Sequence, residues 1–310
     1  MVGAWQWENA TAGGVAGFAT VAAMHPLDVV RTRFQVNDGR GMISLPTYKN
    51  TAHALFTIAR LEGLRGLYAG FFPAVIGSTL SWSLYFFFYG RAKQRYASRG
   101  SHDEKLTPPL HLASAAEAGA LVCLCTNPIW LVKTRLQLQT PLLHQTPPYS
   151  GLLDAFRTIM KEEGPRALYK GIVPGLVLVS HGAIQFTAYE ELRKVIVDTK
   201  EKRRNSESTA DNLLNSVDYA ALGGSSKVAA VLLTYPFQVI RARLQQRPST
   251  NGIPRYIDSL HVIRETARFE GFRGFYRGLT ANLLKNVPAS SITFIVYENV
   301  LKLLKQPPTR

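Results

Sequence analysis

A chain of 310 residues has room for two soluble domains, and a net charge of +15 taken alone suits a nucleic acid or an anionic membrane surface. Two cysteines, Cys123 and Cys125, exclude a disulfide framework; on a helix they point about 200° apart, which argues against a shared metal and leaves small buried side chains as the plain reading. A mean hydropathy of −0.02, with no run of ~18 consecutive apolar residues, excludes helices that are apolar all round. Spans that line a wet cavity and are apolar only on the lipid side remain.

The first segment, 11–35, is rich in Ala, Gly and Val. Gly13 and Gly17 permit close helix contact, and Pro26 kinks the segment by removing a backbone donor. Ahead of it, Met1 to Asn9 shows no Arg/Ser-rich amphipathic leader, so targeting information is expected to be internal. After Gly39, Gly41 and Pro46 comes an amphipathic stretch, Asn50 to Leu61, with Ala54, Ile58 and Leu61 on one face, expected to lie in a membrane interface. A second span at 71–93 is aromatic-rich, at Trp82, Tyr85, Phe86, Phe87, Phe88 and Tyr89. The pattern then recurs: spans 110–138 and 172–194 flank an amphipathic 150–162, and spans 215–245 and 279–302 flank 257–269. The charged stretch 199–212 reads as an exposed, structureless loop.

Each copy carries the same two marks. Pro26, Pro128 and Pro236 stand 102 and then 108 residues apart. Each is followed five residues on by a cation and seven on by an arginine: Arg31 and Arg33, Lys133 and Arg135, Arg241 and Arg243. About 35 residues later come Glu62-Gly63 with Tyr68 and Gly70, Glu163-Gly164 with Tyr169 and Gly171, and Glu270-Gly271 with Tyr276 and Gly278. A period near 100 is far beyond the roughly 20–50 of a solenoid unit. It implies three copies of a small two-helix module around an axis, with any ligand shared between them.

On these motifs the chain resembles the mitochondrial carrier family from Asn9 to Lys302. The resemblance implies an all-α membrane protein, with six transmembrane helices in three tandem two-helix repeats forming a pseudo-three-fold barrel around a central cavity. It implies repeats at 9–100, 107–198 and 213–305, with 199–212 as the loop between the last two. It further implies a monomeric solute carrier that works by alternating access, without enzyme activity, cofactor or metal. The expected membrane is the inner chloroplast envelope, with the mitochondrial inner membrane as the alternative. Trp130 and Gln238 stand where the family usually has an acid, a departure that resembles the branch carrying folate, flavin adenine dinucleotide, NAD and pyrimidine nucleotides. Folate is the expected substrate and the other three are alternatives; the bilayer is the other partner.

Physically, an acid two residues past the proline and a cation five past it share a face within one turn. Around a three-fold axis the acid of one odd helix meets the cation of the next, closing the matrix- or stroma-facing end. Only Asp28 with Lys133 is an intact pair here. Arg241 is expected to meet Trp130 through a cation–π contact of roughly 0.5–2 kcal/mol, and Arg31 to meet Gln238 through a charged hydrogen bond of roughly 1.5–3 kcal/mol. Gln35, Gln137 and Gln245, one turn on, are placed to brace these pairs, as the family implies. Cations that merely snorkel to the surface are the alternative. For the cytosolic-side gate the family's cyclic order leaves one pair, Lys93 with Glu298, since Gly90 and Leu301 interrupt the pattern. One ion pair per gate implies a low barrier between states and leaves uniport open beside exchange.

Counting nine residues past the motif aromatic, where the family places substrate contacts, gives Gly77, Leu178 and Lys285. Helical spacing extends these faces to Trp82 and Tyr85, and to His181 and Gln185. Lys227, which replaces the glycine found at Gly17 and Gly119, shares the cavity face of the fifth helix. Two lysines in a low-dielectric cavity call for an anion, and two carboxylates with a flat ring would match them. Trp82 facing lipid and His181 in an interhelical hydrogen bond are the plainer alternatives, and Glu117 falls off the cavity face. The rival class, a soluble basic nucleic-acid binder, needs charge on one face with interleaved aromatics; here cations cluster at span ends, and no nucleophile–base, metal or phosphate-loop set stands out.

Overall fold

The computed structural model describes residues 7–38, 46, 48–97, 108–140, 148–204, 215–248 and 255–305. Among these the protein is all-α. The first copy comprises α1 (Trp7–Val36), α2 (Thr51–Leu67) and α3 (Phe71–Ala97). The second comprises α4 (Pro108–Leu138), α5 (Leu152–Glu162), a 3₁₀ turn at Pro165–Tyr169, and a composite span of α6 (Ile172–Val177), a 3₁₀ turn at Leu178–Ser180 and α7 (His181–Arg204). The third comprises α8 (Ser216–Leu244), α9 (Ser259–Glu270), a 3₁₀ turn at Phe272–Tyr276 and α10 (Leu279–Lys305).

Among the described residues, four stretches are long and apolar enough to cross a bilayer: Thr11–Val36, Phe71–Ala97, Pro109–Leu138 and Pro165–Lys200. The helices α8 and α10 have comparable lengths, 29 and 27 residues, but carry Lys227, Arg241 and Arg243, and Lys285 and Glu298, within them. That is the pattern of a span with a polar face.

Local chemistry sets the element ends. Asn50 and Asp258 cap α2 and α9, accepting from the amides of His53 at 2.8 Å and His261 at 2.7 Å. Each Glu-Gly mark places a glycine at positive φ: Gly63 at 68° kinks α2 before its last turn, and Gly164 at 78° and Gly271 at 63° follow the ends of α5 and α9. A second set, Gly70, Gly171 and Gly278 at 73°, 79° and 82°, turns the chain into the following span.

The amphipathic helices are docked on protein. Ala54 and Ile58 are buried against Val29 and Val30 of α1, and Ala155 and Ile159 of α5 pack on Leu131 and Val132 of α4. The expected apolar face is therefore split: Leu61 is 51% exposed, and Phe56 and Leu64 beside it are exposed too. The stretch expected to be structureless is helical through Arg204; residues 205–212 lie outside those described. The fourth span breaks at Leu178–Ser180, where a Cβ on Gly119 would stand 2.6 Å from Val179 Cγ1.

The chain divides into two compact units that cut across the copies: residues 1–80, 126–170 and 242–310 form one, and 81–125 with 171–241 the other. In the first, α1 packs along α10, and the hydroxyls of Thr20 and Thr293 meet at 2.8 Å.

Candidate functional site

In the first unit the two sequence marks of each copy meet. Arg33, fully buried, forks onto Glu62, with Nη1–Oε1 at 2.5 Å and Nη2–Oε2 at 2.7 Å. Arg135 pairs with Glu163, its Nη2 reaching Oε2 at 3.0 Å. Arg243 Nη1 donates to Glu270 Oε1 at 2.6 Å and to Thr266 Oγ1 at 2.7 Å. The Nε of each then donates to a backbone carbonyl of another copy: Arg33 to Gln137 at 3.0 Å, Arg135 to Gln245 at 3.2 Å and Arg243 to Gln35 at 3.1 Å. These three bonds run from copy one to two, two to three and three to one. Burial pushes the Glu163 carboxyl up, but hydrogen bonds from Arg135 and from Lys170, 2.9 Å away, outweigh it and hold the group below its ordinary range. Sequence reasoning missed these pairs, although the near-constant separations of 29, 28 and 27 residues were a readable signal.

Within this frame sits Asp28, its side chain 6% exposed. Lys133 Nζ of α4 lies 2.5 Å from Oδ2, and Gln137 Nε2 donates to the same oxygen at 3.0 Å. Lys285 Nζ of α10 lies 2.5 Å from Oδ1, and Arg31 Nη1 is 3.7 Å from that oxygen. One carboxylate thus faces three cations, a formal excess of two positive charges. Lys133 Nζ also lies over the Trp130 ring at 5.0 Å. A Cβ on Gly77 would stand 3.2 Å from Ile129 Cγ2 and 3.6 Å from the Trp130 ring; the glycine lets α3 close onto α4.

The second unit holds the other sequence-derived positions. Arg241 packs beside Cys123 and Gly175: a Cβ on Gly175 would be 3.4 Å from the guanidinium carbon and 3.1 Å from the sulfur. His181 Nδ1 lies 2.9 Å from Thr234 Oγ1, an interhelical hydrogen bond between α7 and α8. Leu178 opens the 3₁₀ break, and Gln185, Lys227 and Gln238 are half-buried on α7 and α8. Trp82, 62% exposed, stacks on Phe86 at 5.9 Å. Glu117 accepts from Arg95 at 2.7 Å and from Tyr96 at 3.1 Å. Lys93 is exposed near the end of α3, and in the first unit Glu298 is half-buried on α10.

Among known proteins, the sequence profile of the family described as "Mitochondrial carrier protein" matches residues 4–100, 104–200 and 212–308. The chain belongs to the mitochondrial carrier family. The carrier is 91% identical over 309 residues to "Folate transporter 1, chloroplastic" of Arabidopsis thaliana, covering 100% of this chain and 99% of the relative. It is 38% identical over 298 residues to "Nicotinamide adenine dinucleotide transporter 1, chloroplastic" of Arabidopsis thaliana, covering 96% and 91%. Against the "Mitochondrial pyrimidine nucleotide transporter RIM2" of Saccharomyces cerevisiae the identity is 30% over 325 residues, covering 96% and 86%.

Proposed function

We propose that this carrier moves folates across the inner chloroplast envelope by alternating access, as a monomer and without covalent chemistry. The 91% identity to a chloroplastic folate transporter supports the substrate and the membrane. The observation that carries the mechanism is the Asp28 cluster, in which one carboxylate is shared by Lys133 and Lys285 at 2.5 Å each with Arg31 beside it. A cluster with two positive charges in excess suits an incoming anion. On this reading the ligand's carboxylates replace Asp28 on Lys285, and Lys227 serves a second carboxylate. Trp82, Leu178, His181 and Gln185 are the proposed wall of the same cavity, and Gly77 contributes only backbone.

Asp28, Arg31, Trp130, Lys133, Gln238 and Arg241 form the proposed stroma-side gate, and Lys93 with Glu298 the cytosolic-side gate. The repeat boundaries proposed from the sequence, 9–100, 107–198 and 213–305, keep one proline motif and one Glu-Gly mark in each copy. The purified carrier in liposomes should take up labelled reduced folates faster than flavin adenine dinucleotide or NAD. Uptake of either dinucleotide with no uptake of folate would overturn the substrate and leave the carrier mechanism standing.

A further inference from the structure

The gate as read from sequence has one intact ion pair and two seams without one; at the seam between the third and first copies Gln238 replaces the acid that would face Arg31. An ion pair joins the same two copies elsewhere in the first unit. Asp38, two residues past α1, has a side chain 2% exposed. Arg255 Nη2, just ahead of α9, reaches both of its oxygens at 2.7 and 2.6 Å, and Tyr256 donates its hydroxyl to Oδ2 at 3.1 Å. Next to it Arg277 Nη1 donates to the carbonyl of Asn37 at 2.7 Å while its Nε holds Glu270 Oε2 at 2.7 Å. Four residues of the third copy (Arg243, Arg255, Tyr256 and Arg277) therefore hold the end of α1.

The arrangement departs from the three-fold pattern. In the other copies Thr140 and Pro248 occupy the place of Asp38, and Thr47 and Pro148 the place of Arg255. The tyrosine recurs, as Tyr48 and Tyr149, but Tyr48 accepts from Arg33 of its own copy at 3.3 Å. The acid and the cation at this seam are additions peculiar to it.

We infer that Asp38 and Arg255, with Tyr256 bonded to the same carboxylate, form a displaced gate pair, a latch that closes the third-to-first seam on the side of the proline motif and breaks in each turnover. Asp38 and Arg255 position α1 against the third copy without touching ligand. The inference rests on the alternating-access reading. For a carrier with two states, the apparent affinity on each face scales with the fraction open to that face. The ratio of KM values measured from the two faces therefore reports the equilibrium between states, whereas loss of folded protein changes only the maximal rate.

The test reconstitutes the full chain in liposomes of defined orientation and measures KM from both faces. Asp38→Asn and Arg255→Gln should each shift the KM ratio about tenfold toward the state open on the latch side, the low end expected for losing a charged hydrogen bond. Arg255→Lys, which keeps the charge but not both contacts, should shift it less, and the exchanged pair Asp38→Arg with Arg255→Asp should recover at least part of the ratio. A ratio unchanged in both single variants, with or without a fall in maximal rate, would overturn the latch. If wild-type protein moves NAD or flavin adenine dinucleotide instead of folate, the substrate assignment falls and the same ratio is read with that ligand.

Discussion

Asp28→Asn separates the two partners that Lys285 can have. In the structure Lys285 Nζ is held by Asp28 Oδ1 at 2.5 Å, so a ligand carboxylate that seeks this ammonium must first displace an internal one. Asparagine keeps the shape and a neutral acceptor but gives up the charge. A hydrogen bond to a charged group contributes roughly 1.5–3 kcal/mol. The lysine side chain is 27% exposed, so solvent screening favours the low end, about tenfold in a dissociation constant. Asp28→Asn should thus bind a reduced folate about tenfold more tightly, measured by titration calorimetry on detergent-purified protein. Removing a negative charge also favours any anion, so two controls isolate the competition. A pterin without carboxylates should gain nothing, and in the Lys285→Ala background Asp28→Asn should lose most of its gain. Unchanged or weaker folate binding in Asp28→Asn, or an equal gain in both lysine backgrounds, would refute the idea that Asp28 and ligand compete for Lys285.

Further expectations concern the gate and its frame. Trp130→Asp should add an acid to the proposed gate and slow uptake per inserted molecule, while Trp130→Ala should weaken closure and substrate passage; an interfacial anchor would instead accept Phe and lose membrane yield with Asp. Glu62→Gln, which leaves Arg33 buried without its counter-ion, should cost roughly 3–5 kcal/mol and show as lost thermal stability in detergent, with Arg33→Lys failing to rescue the fork geometry. Gly77→Leu should lower both stability and uptake, because the Cβ alone would come within 3.2 Å of Ile129. Glu163 titrates below its ordinary value when folded. Its contribution is thus fully present above the unfolded carboxyl's pKa of about 4.3 and is lost as pH falls through the folded value; Glu163→Gln should flatten the acid limb of a melting-temperature profile.

The helices were legible because each copy repeats a proline, a basic pair and a Glu-Gly mark, and three imperfect copies correct one another. What sequence lacked was partnership at long range. The spacing from proline brings Asp28 and Lys133 onto facing positions, but nothing in it brings Lys285, 257 residues away, onto the same carboxylate. The break at Leu178–Ser180 follows a run with no proline or glycine at the break itself; the close approach of Gly119 and Val179 is a tertiary feature of that place. Thr199 to Arg204 is helical where a loop is expected, for another reason. Lys, Glu and Arg are good helix formers, and a polar, charged composition does not by itself distinguish a loop from the last turns of a helix.

Replacing acids with Trp130 and Gln238 has a consequence for charge that joins the gate to the substrate. Relative to a gate with three acids, this set is more positive by two charges. An anionic ligand entering a low-dielectric cavity then meets cations that are less completely neutralised, which favours entry. The same change leaves fewer ion pairs to hold the end closed. With Asp38 and Arg255 as a latch, the third-to-first seam regains an ion pair between elements outside the six long spans. A carboxylate–guanidinium pair two residues past the end of α1 restores the closing interaction without adding a carboxylate to the Asp28 cluster. On this reading closure and anion attraction, which in a symmetric three-acid ring oppose each other, are assigned to different residues, and variants of Asp28 and of Asp38 should alter affinity and state balance separately.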